Sequence, residues 1–272
     1  MIRLISKVFV FVLVFVSVAC EKPIAADNGM PSGEKVVSGN VTIVYPTDGI
    51  QKMNVMLFKP DGSRAFSQVK TQKTLDAGFG TMGLDVETGT YTMVCVGHSS
   101  AISASIKSPE NVQFTAQDGR KLTDTFCYVG SMVVDDSPVY HECVLQRATA
   151  MVRLVITDEV PEGVVRFSFN YTGGSANVNP TTLQGITKSR QSEVRMVDEP
   201  LEVYTFPYLS ETGTLHLTVA AIDSDGSTVV KKTFADVPVS RGSVTTVSTE
   251  FFSDVSSSFG FTVGEWQNMN EL

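Results

Sequence analysis

The stretch of sequence that decides the fold is CVLQRATAMVRLVIT, residues 143–157, in which an alternation of apolar and polar residues changes phase. Cys143 and Leu145 place the apolar face on odd positions. The apolar residues that follow stand on even positions, namely Ala148, Ala150, Val152, Leu154 and Ile156. Because a one-residue shift reverses which face of a strand is buried, the segment either bulges or passes from one hydrophobic core to another. We predict a domain boundary near Gln146-Arg147.

On both sides of this segment the chain consists of short runs rich in Val, Ile, Thr, Phe and Tyr, separated by turn residues. The run Tyr91–Val96 is apolar on both faces, as expected of a central strand that is covered on both sides. Asp135–Pro138 is typical of a hairpin turn between the two runs that flank it. We predict an all-β protein of two tandem antiparallel β-sandwich domains, residues 40–146 and 147–272.

The N-terminus has the pattern of a secretion signal, since Arg3 and Lys7 precede the apolar run Val8–Val16. The uncharged stretch is too short for the roughly 20 residues of a membrane-spanning helix. Small residues stand directly before Cys20, as in a bacterial lipobox. We therefore expect residues 1–19 to be a lipoprotein signal peptide and Cys20 to carry acyl chains such as palmitate; a general secretory signal is the alternative.

Residues 20–39 contain Pro, Gly, Ala and Ser but almost no large apolar side chains, which predicts a tether. The whole chain has 272 residues, 42% of them hydrophobic and 18% charged, which is ordinary globular composition. Its net charge of −8 argues against binding of nucleic acid, because such proteins neutralise phosphates with clustered Lys and Arg.

Three cysteines remain after Cys20, namely Cys95, Cys127 and Cys143, and each lies in an apolar run. An odd number cannot form a complete disulfide framework, so at most one bridge is expected. Buried free thiols are the alternative that we favour. The sequence contains no CxxC pair, so it gives no support to a zinc or redox site.

Catalytic patterns are missing from the sequence. His98, His141 and His216 are far apart, and we expect each at the surface or at a strand end. No GxSxG, P-loop, GxGxxG or HExxH pattern occurs. The run Asp223–Gly226 begins like a calcium loop but lacks the later acidic ligands, so a hairpin turn is expected. We predict no enzymatic activity, no cofactor and no metal.

Residues 173–195 are rich in Gly, Ser, Thr and Asn and are locally basic in an acidic protein. We interpret them as an irregular segment. Lys188, Arg190 and Arg195 then belong either to a partner-contacting loop or to a solvated loop.

The last apolar run, residues 259–266, alternates Phe259, Phe261 and Val263 with small residues and ends at Trp266, the only tryptophan. It predicts a strand that either packs on its own domain or is exchanged with a neighbouring subunit.

Several of these features together resemble the fimbrillin superfamily of type V pilus subunits, in particular FimB-like fimbrial anchor or accessory lipoproteins. They are the lipobox, the crossover VLQRATAMVR at residues 144–153, Gly89-Thr90-Tyr91, VPVSRG at residues 237–242, and the final strand ending in Trp266. The resemblance implies two transthyretin-like sandwiches, attachment to the outer membrane through lipid, and assembly with other subunits by β-strand addition. A host protein or glycan is a further expected partner.

In that superfamily, stalk subunits are trimmed by an arginine-specific protease, which removes the lipid and frees the groove of the first strand. Here Glu21–Ser63 contains no arginine, and the first one after the signal is Arg64. We therefore expect an untrimmed, surface-exposed fimbrial anchor or accessory subunit that serves cell adhesion. The alternative is a stand-alone surface lipoprotein that binds a glycan or protein through sandwich-end loops.

Overall fold

The computed structural model describes residues 39–99, 102–116, 119–253 and 259–266. The predicted signal, Cys20 and nearly all of the tether lie outside these residues. The part that is described is all-β: it contains twenty strands, and no helix in it is long and apolar enough to cross a membrane. This confirms the predicted all-β class.

The first half of the described chain contains ten strands. They are β1 Val41–Val44, β2 Lys52–Phe58, β3 Lys70–Lys73, β4 Thr81–Leu84, β5 Gly89–His98, β6 Ser103–Ser108, β7 Asn111–Thr115, β8 Thr125–Val134, β9 Val139–Glu142 and β10 Gln146–Arg147.

The second half also contains ten. They are β11 Ala150–Ile156, β12 Val164–Thr172, β13 Asn177–Asn179, β14 Gln184–Gly185, β15 Gln191–Met196, β16 Glu202–Thr205, β17 Thr212–Asp223, β18 Thr228–Ser240, β19 Ser243–Thr249 and β20 Gly260–Glu265.

Two sheets of the first half face each other. Sheet I has the strand order β4-β1-β9, and sheet II has the order β10-β8-β5-β2-β3. The first core lies between them, where Val41 and Ile43 of sheet I meet Val55 and Met93 of sheet II. Burying a side chain of this kind stabilises the fold by about 1.5–3 kcal/mol.

The predicted hairpin at Asp135–Pro138 is wrong. β8 pairs with β5 and β10 in sheet II, whereas β9 pairs in parallel with β1 in sheet I, so this turn carries the chain from one sheet to the other. A second parallel pair joins β11 and β19 in the second half. Sheet I and the sheet that holds β11 and β19 are therefore mixed, whereas the other three sheets are purely antiparallel, as predicted.

The second half repeats the two-layer arrangement. Sheet III has the order β16-β11-β19-β20, and sheet IV has the order β15-β12-β17-β18. The second core between them contains Val152 and Leu154 together with Phe167, Phe169 and Leu217. The phase change at residues 143–157 is thus explained, because the segment leaves the first core and enters the second.

A third cluster, the bridging core, joins the two halves. It covers the outer face of sheet II, where Met56, Val94 and Val96 are buried. Its cover is sheet V, with the order β14-β13-β7-β6, in which β13 of the second half pairs with β7 of the first. Phe206 of the second half is fully buried in the same cluster. The prediction that β5 is covered on both sides is correct, and part of the cover comes from the other half.

Candidate interaction surfaces

The three histidines lie on strands of three different sheets. His98 ends β5 and is fully buried, with its ring edge-on to Phe114 and its Nε2 3.0 Å from Asn54 Nδ2. His141 Nε2 lies 2.8 Å from the Tyr128 hydroxyl, and burial lowers the pKa of His141. His216 is exposed on β17. Among the residues that the structure describes, no group of three His, Cys, Asp or Glu could hold a metal ion.

The run Asp223–Gly226 forms the turn between β17 and β18. The Asp223 carboxylate accepts hydrogen bonds from the backbone amides of Asp225 and Ser227, at 3.1 and 2.8 Å. Gly226 has a φ of 86°, in the left-handed region that glycine adopts at little cost. The run is therefore the hairpin turn that the sequence predicted, and the Asp223 carboxylate stabilises it.

Residues 173–195 are not an irregular loop. They contain β13, β14 and β15, the last of which is an edge strand of sheet IV. Lys188 and Arg190 are exposed, and the Lys188 amine lies 5.2 Å from the centre of the Tyr208 ring. Arg195 is fully buried, so its place in a partner-contacting loop is wrong.

Arg195 belongs to a buried ionic network that the sequence analysis missed. Its Nη2 donates a 2.6 Å hydrogen bond to Glu193, and its Nε donates to the Glu202 carbonyl at 2.9 Å. The Tyr171 hydroxyl donates to the other Glu193 oxygen at 2.5 Å, and burial together with Glu193 raises the pKa of Tyr171 well above its ordinary value. Buried charges are tolerated only when paired and hydrogen-bonded in this way. The available signal was the period-two spacing of Gln191, Glu193 and Arg195, which places them on one face of a strand.

The neighbourhood of this network also contacts the first half of the molecule. The Val194 amide donates to the Gly119 carbonyl at 2.9 Å. Arg120 forms a 2.6 Å ion pair with Glu199. These contacts fasten β15 and the turn that follows it to the segment before β8.

The crossover between the halves is held by Arg147. Its guanidinium pairs with the nearly buried Asp124 carboxylate at 3.0 Å and lies between two aromatic rings, 4.8 Å from the centre of Phe126 and 4.4 Å from that of Trp266. Burial raises the pKa of Asp124 although the Arg147 charge opposes the shift. Trp266 also packs against Tyr204, with ring centres 5.7 Å apart. The end of the last strand is thus anchored at the junction.

The last strand, β20, is an edge strand of sheet III and pairs antiparallel with β19 of the same chain. Phe261 is partly buried against the second core. Phe259 and Val263 remain 40% and 51% exposed. Phe259 contacts Phe234 edge-on at 5.2 Å between ring centres. The other edge of β20 forms no ladder with any strand in the described residues.

The fold and these surfaces define a class: an all-β protein of stacked sheets with two sandwich cores and a bridging core. The family model for DUF6562, a family of unknown function, matches residues 105–265, which is more than half of the chain. The chain belongs to this family. The search of curated proteins finds no match.

Several solved structures are similar to the chain. A candidate polysaccharide-binding protein (DUF1812) from Bacteroides thetaiotaomicron is 12% identical, with 85% of this chain and 99% of that chain covered and a TM-score of 0.49. A fimbrial assembly protein from Parabacteroides distasonis is 14% identical, with 83% and 98% covered and a TM-score of 0.45. The fimbrial anchor protein Mfa2 from Porphyromonas gingivalis is 12% identical, with 83% and 97% covered and a TM-score of 0.45.

Proposed function

We propose that this protein is a non-enzymatic fimbrial anchor or accessory subunit, attached to the outer membrane through lipid on Cys20 and facing the outside of the cell. The sequence supports this with a lipobox, a tether and the superfamily features quoted above. Residues 40–146 and 147–272 are proposed as its two transthyretin-like sandwiches, and each half does contain a core between two sheets.

The observation that carries the proposal is the position of Arg64, the first arginine after the signal. It is exposed in the segment between β2 and β3. Cleavage there would remove β1, the middle strand of sheet I, together with β2, which lies between β5 and β3 in sheet II. Because both strands contribute to the first core, such a cut would destroy the sandwich rather than free one groove. This supports an untrimmed subunit that keeps its lipid.

Assembly by strand addition is proposed at the outer edge of β20, the segment of Phe259, Phe261 and Val263. An edge strand presents unpaired backbone amides and carbonyls, which a strand from another subunit can pair with. The partly exposed side chains of Phe259 and Val263 can contact every second side chain of the added strand. The proposed partners are other fimbrial subunits.

The experiment isolates the protein from the cell envelope with its co-purifying subunits and measures the mass of its N-terminal peptide. We expect an acylated Cys20 at the N-terminus of protein found in fibres, and release of a Cys20→Ala variant into soluble fractions. Arg64→Lys is the control: because we propose that the chain is not cleaved at Arg64, we expect this variant to assemble like the wild type. Fibres containing chains that begin at residue 65 would overturn the proposal.

The edge of β20 is tested in the same preparation by Val263→Lys, since a lysine on an edge strand discourages pairing. We expect a folded protein that loses co-purifying subunits. Val229→Lys, at an exposed position of β18, is the control. Equal recovery of subunits with both variants would exclude β20 as the assembly edge.

A further inference from the structure

Two of the three buried cysteines meet across the first core. Cys95 projects from β5 of sheet II, and Cys143 follows β9 of sheet I, with its amide bonded to the Val44 carbonyl of β1 at 2.8 Å. Both side chains are fully buried, and their sulfur atoms are 3.4 Å apart. They are free thiols in the structure. A disulfide has a sulfur–sulfur distance of about 2.05 Å, so the two atoms need to approach each other by about 1.4 Å.

We infer that Cys95 and Cys143 form a disulfide that links the two sheets of the first core in the exported protein. In this reaction the two thiols lose two protons and two electrons, and one sulfur–sulfur bond forms. The electron acceptor is the disulfide of a thiol–disulfide oxidoreductase, which is reduced to two thiols. The inference rests on the proposed export of the chain, because such bridges persist in oxidising compartments.

The third cysteine is excluded from this bridge by the pleat of sheet II. Cys95 is paired across the strands with Tyr128, so Cys127, one residue earlier, points to the opposite face. Cys127 lies in the bridging core rather than the first core. The odd number of cysteines is thereby explained as one pair and one structural thiol.

In the folded protein the thiols of Cys95 and Cys143 are poor substrates for oxidation, so the disulfide has to form before folding is complete. The hydrogen bond with Cys143 and burial together raise the pKa of Cys95 well above its ordinary value, and exchange requires a thiolate. Burial raises the pKa of Cys127 to about 12. The bridge therefore forms before the two sheets close, while the chain is still folding.

The test traps thiols with acid when the envelope is collected, alkylates free thiols in denaturant, then reduces the protein and applies a second label. We expect the first label on Cys127 and the second on Cys95 and Cys143. Tryptic peptides 74–107 and 122–147 should be linked before reduction, and remain linked in a Cys127→Ala variant. A first label on Cys95 and Cys143 in signal-cleaved protein, or a bridge to Cys127, would overturn the inference.

A second measurement is independent of export. The Cys20→Ala chain is refolded from denaturant in a glutathione buffer and melted with and without reductant. A bridge that closes a loop of this size is expected to raise Tm by roughly 10 °C. Reductant should therefore lower the Tm of this chain and of the same chain with Cys127→Ala added. It should not lower the Tm of the chain with Cys143→Ala added. If the Tm of all three chains is independent of reductant, the disulfide is contradicted. If the signal peptide is retained on the protein in cells, the proposed function is contradicted instead.

Discussion

Sheet II and sheet IV are built from similar strands but are buried differently. In sheet II the central strand β5 buries Met93 and Cys95 on one face and Val94 and Val96 on the other. In sheet IV the inner strand β17 buries only alternate residues, and the residues of its other face are exposed or half-buried, among them Thr214, His216 and Thr218. The difference teaches that sheet II is the middle of three layers, whereas sheet IV is the outer layer of two.

The third layer over sheet II is assembled from both halves of the chain. Strands β6 and β7 precede β8, but β13, β14 and Phe206 come from the second half. The first half therefore cannot bury the outer face of its main sheet until residues beyond 200 are in place. The second core, by contrast, is formed entirely by residues that follow the crossover.

The strongest test of this comparison places the same charge on the outward face of each sheet. Val96→Asp puts a carboxylate into the bridging core, and we expect the protein to be insoluble or destabilised by more than about 4 kcal/mol. Thr218→Asp, on the outward face of β17, should change the free energy of unfolding by about 0.5 kcal/mol or less. Chemical denaturation measures both, and a tolerated Val96→Asp would show that sheet II is not the middle layer.

A second test concerns Glu193 and Arg195, the buried charges of β15. This strand is the edge of sheet IV that contacts the first half of the chain. Arg195→Met leaves Glu193 buried without its cation, and we expect a loss of about 3–5 kcal/mol. Arg153→Met breaks an ion pair with Glu202 in which the arginine is 42% exposed, and should cost about 1 kcal/mol or less. Urea unfolding of the two variants compares them directly. Equal losses would mean that burial does not distinguish the pairs.

The smallest expected effect is pH-dependent and belongs to the second half alone. Burial acts to raise the pKa of Asp158, but hydrogen bonds from the amides of Phe251, Phe252 and Ser253 outweigh it, and the pKa is lowered. The ionised form is thus favoured by folding, so this contribution is present above the unfolded pKa of about 3.8 and is lost as pH falls through the folded value.

Asp158→Asn should therefore cost about 1 kcal/mol at neutral pH, and its stability should approach that of the wild type as the pH falls below 4. Asp225→Asn, in the exposed turn after β17, is the surface control and should change the free energy of unfolding by about 0.5 kcal/mol or less. Thermal melts between pH 3 and pH 7 measure both variants. A difference from wild type that stays constant over this range would refute the role of the Asp158 charge.

Local alternation predicted the strands and their buried faces well, because a residue such as Val152 shows in the sequence which face it shares with Leu154. It could also locate the change of core, since the phase shift is written into residues 143–157. The sequence near a strand does not determine which strand it pairs with. Asp135–Pro138 has residues typical of a hairpin turn, yet β9 pairs with β1 of sheet I and not with β8. Arg195 was wrongly predicted at the surface because the polar, basic composition of residues 173–195 is typical of an exposed loop. Burial of its charge is possible only because Glu193, itself held by Tyr171, lies beside it in the folded protein.

The position of β1 between β4 and β9 has a mechanical consequence. β1 is antiparallel to β4 and parallel to β9, with hydrogen bonds on both of its edges. A pull on the chain before Val41, directed along the strand, loads both ladders in shear, so their bonds must rupture together instead of unzipping one at a time. Tension that arrives through the N-terminal segment is therefore shared by the whole of sheet I, and the two ladders of β1 resist unfolding of a protein that is pulled from that end.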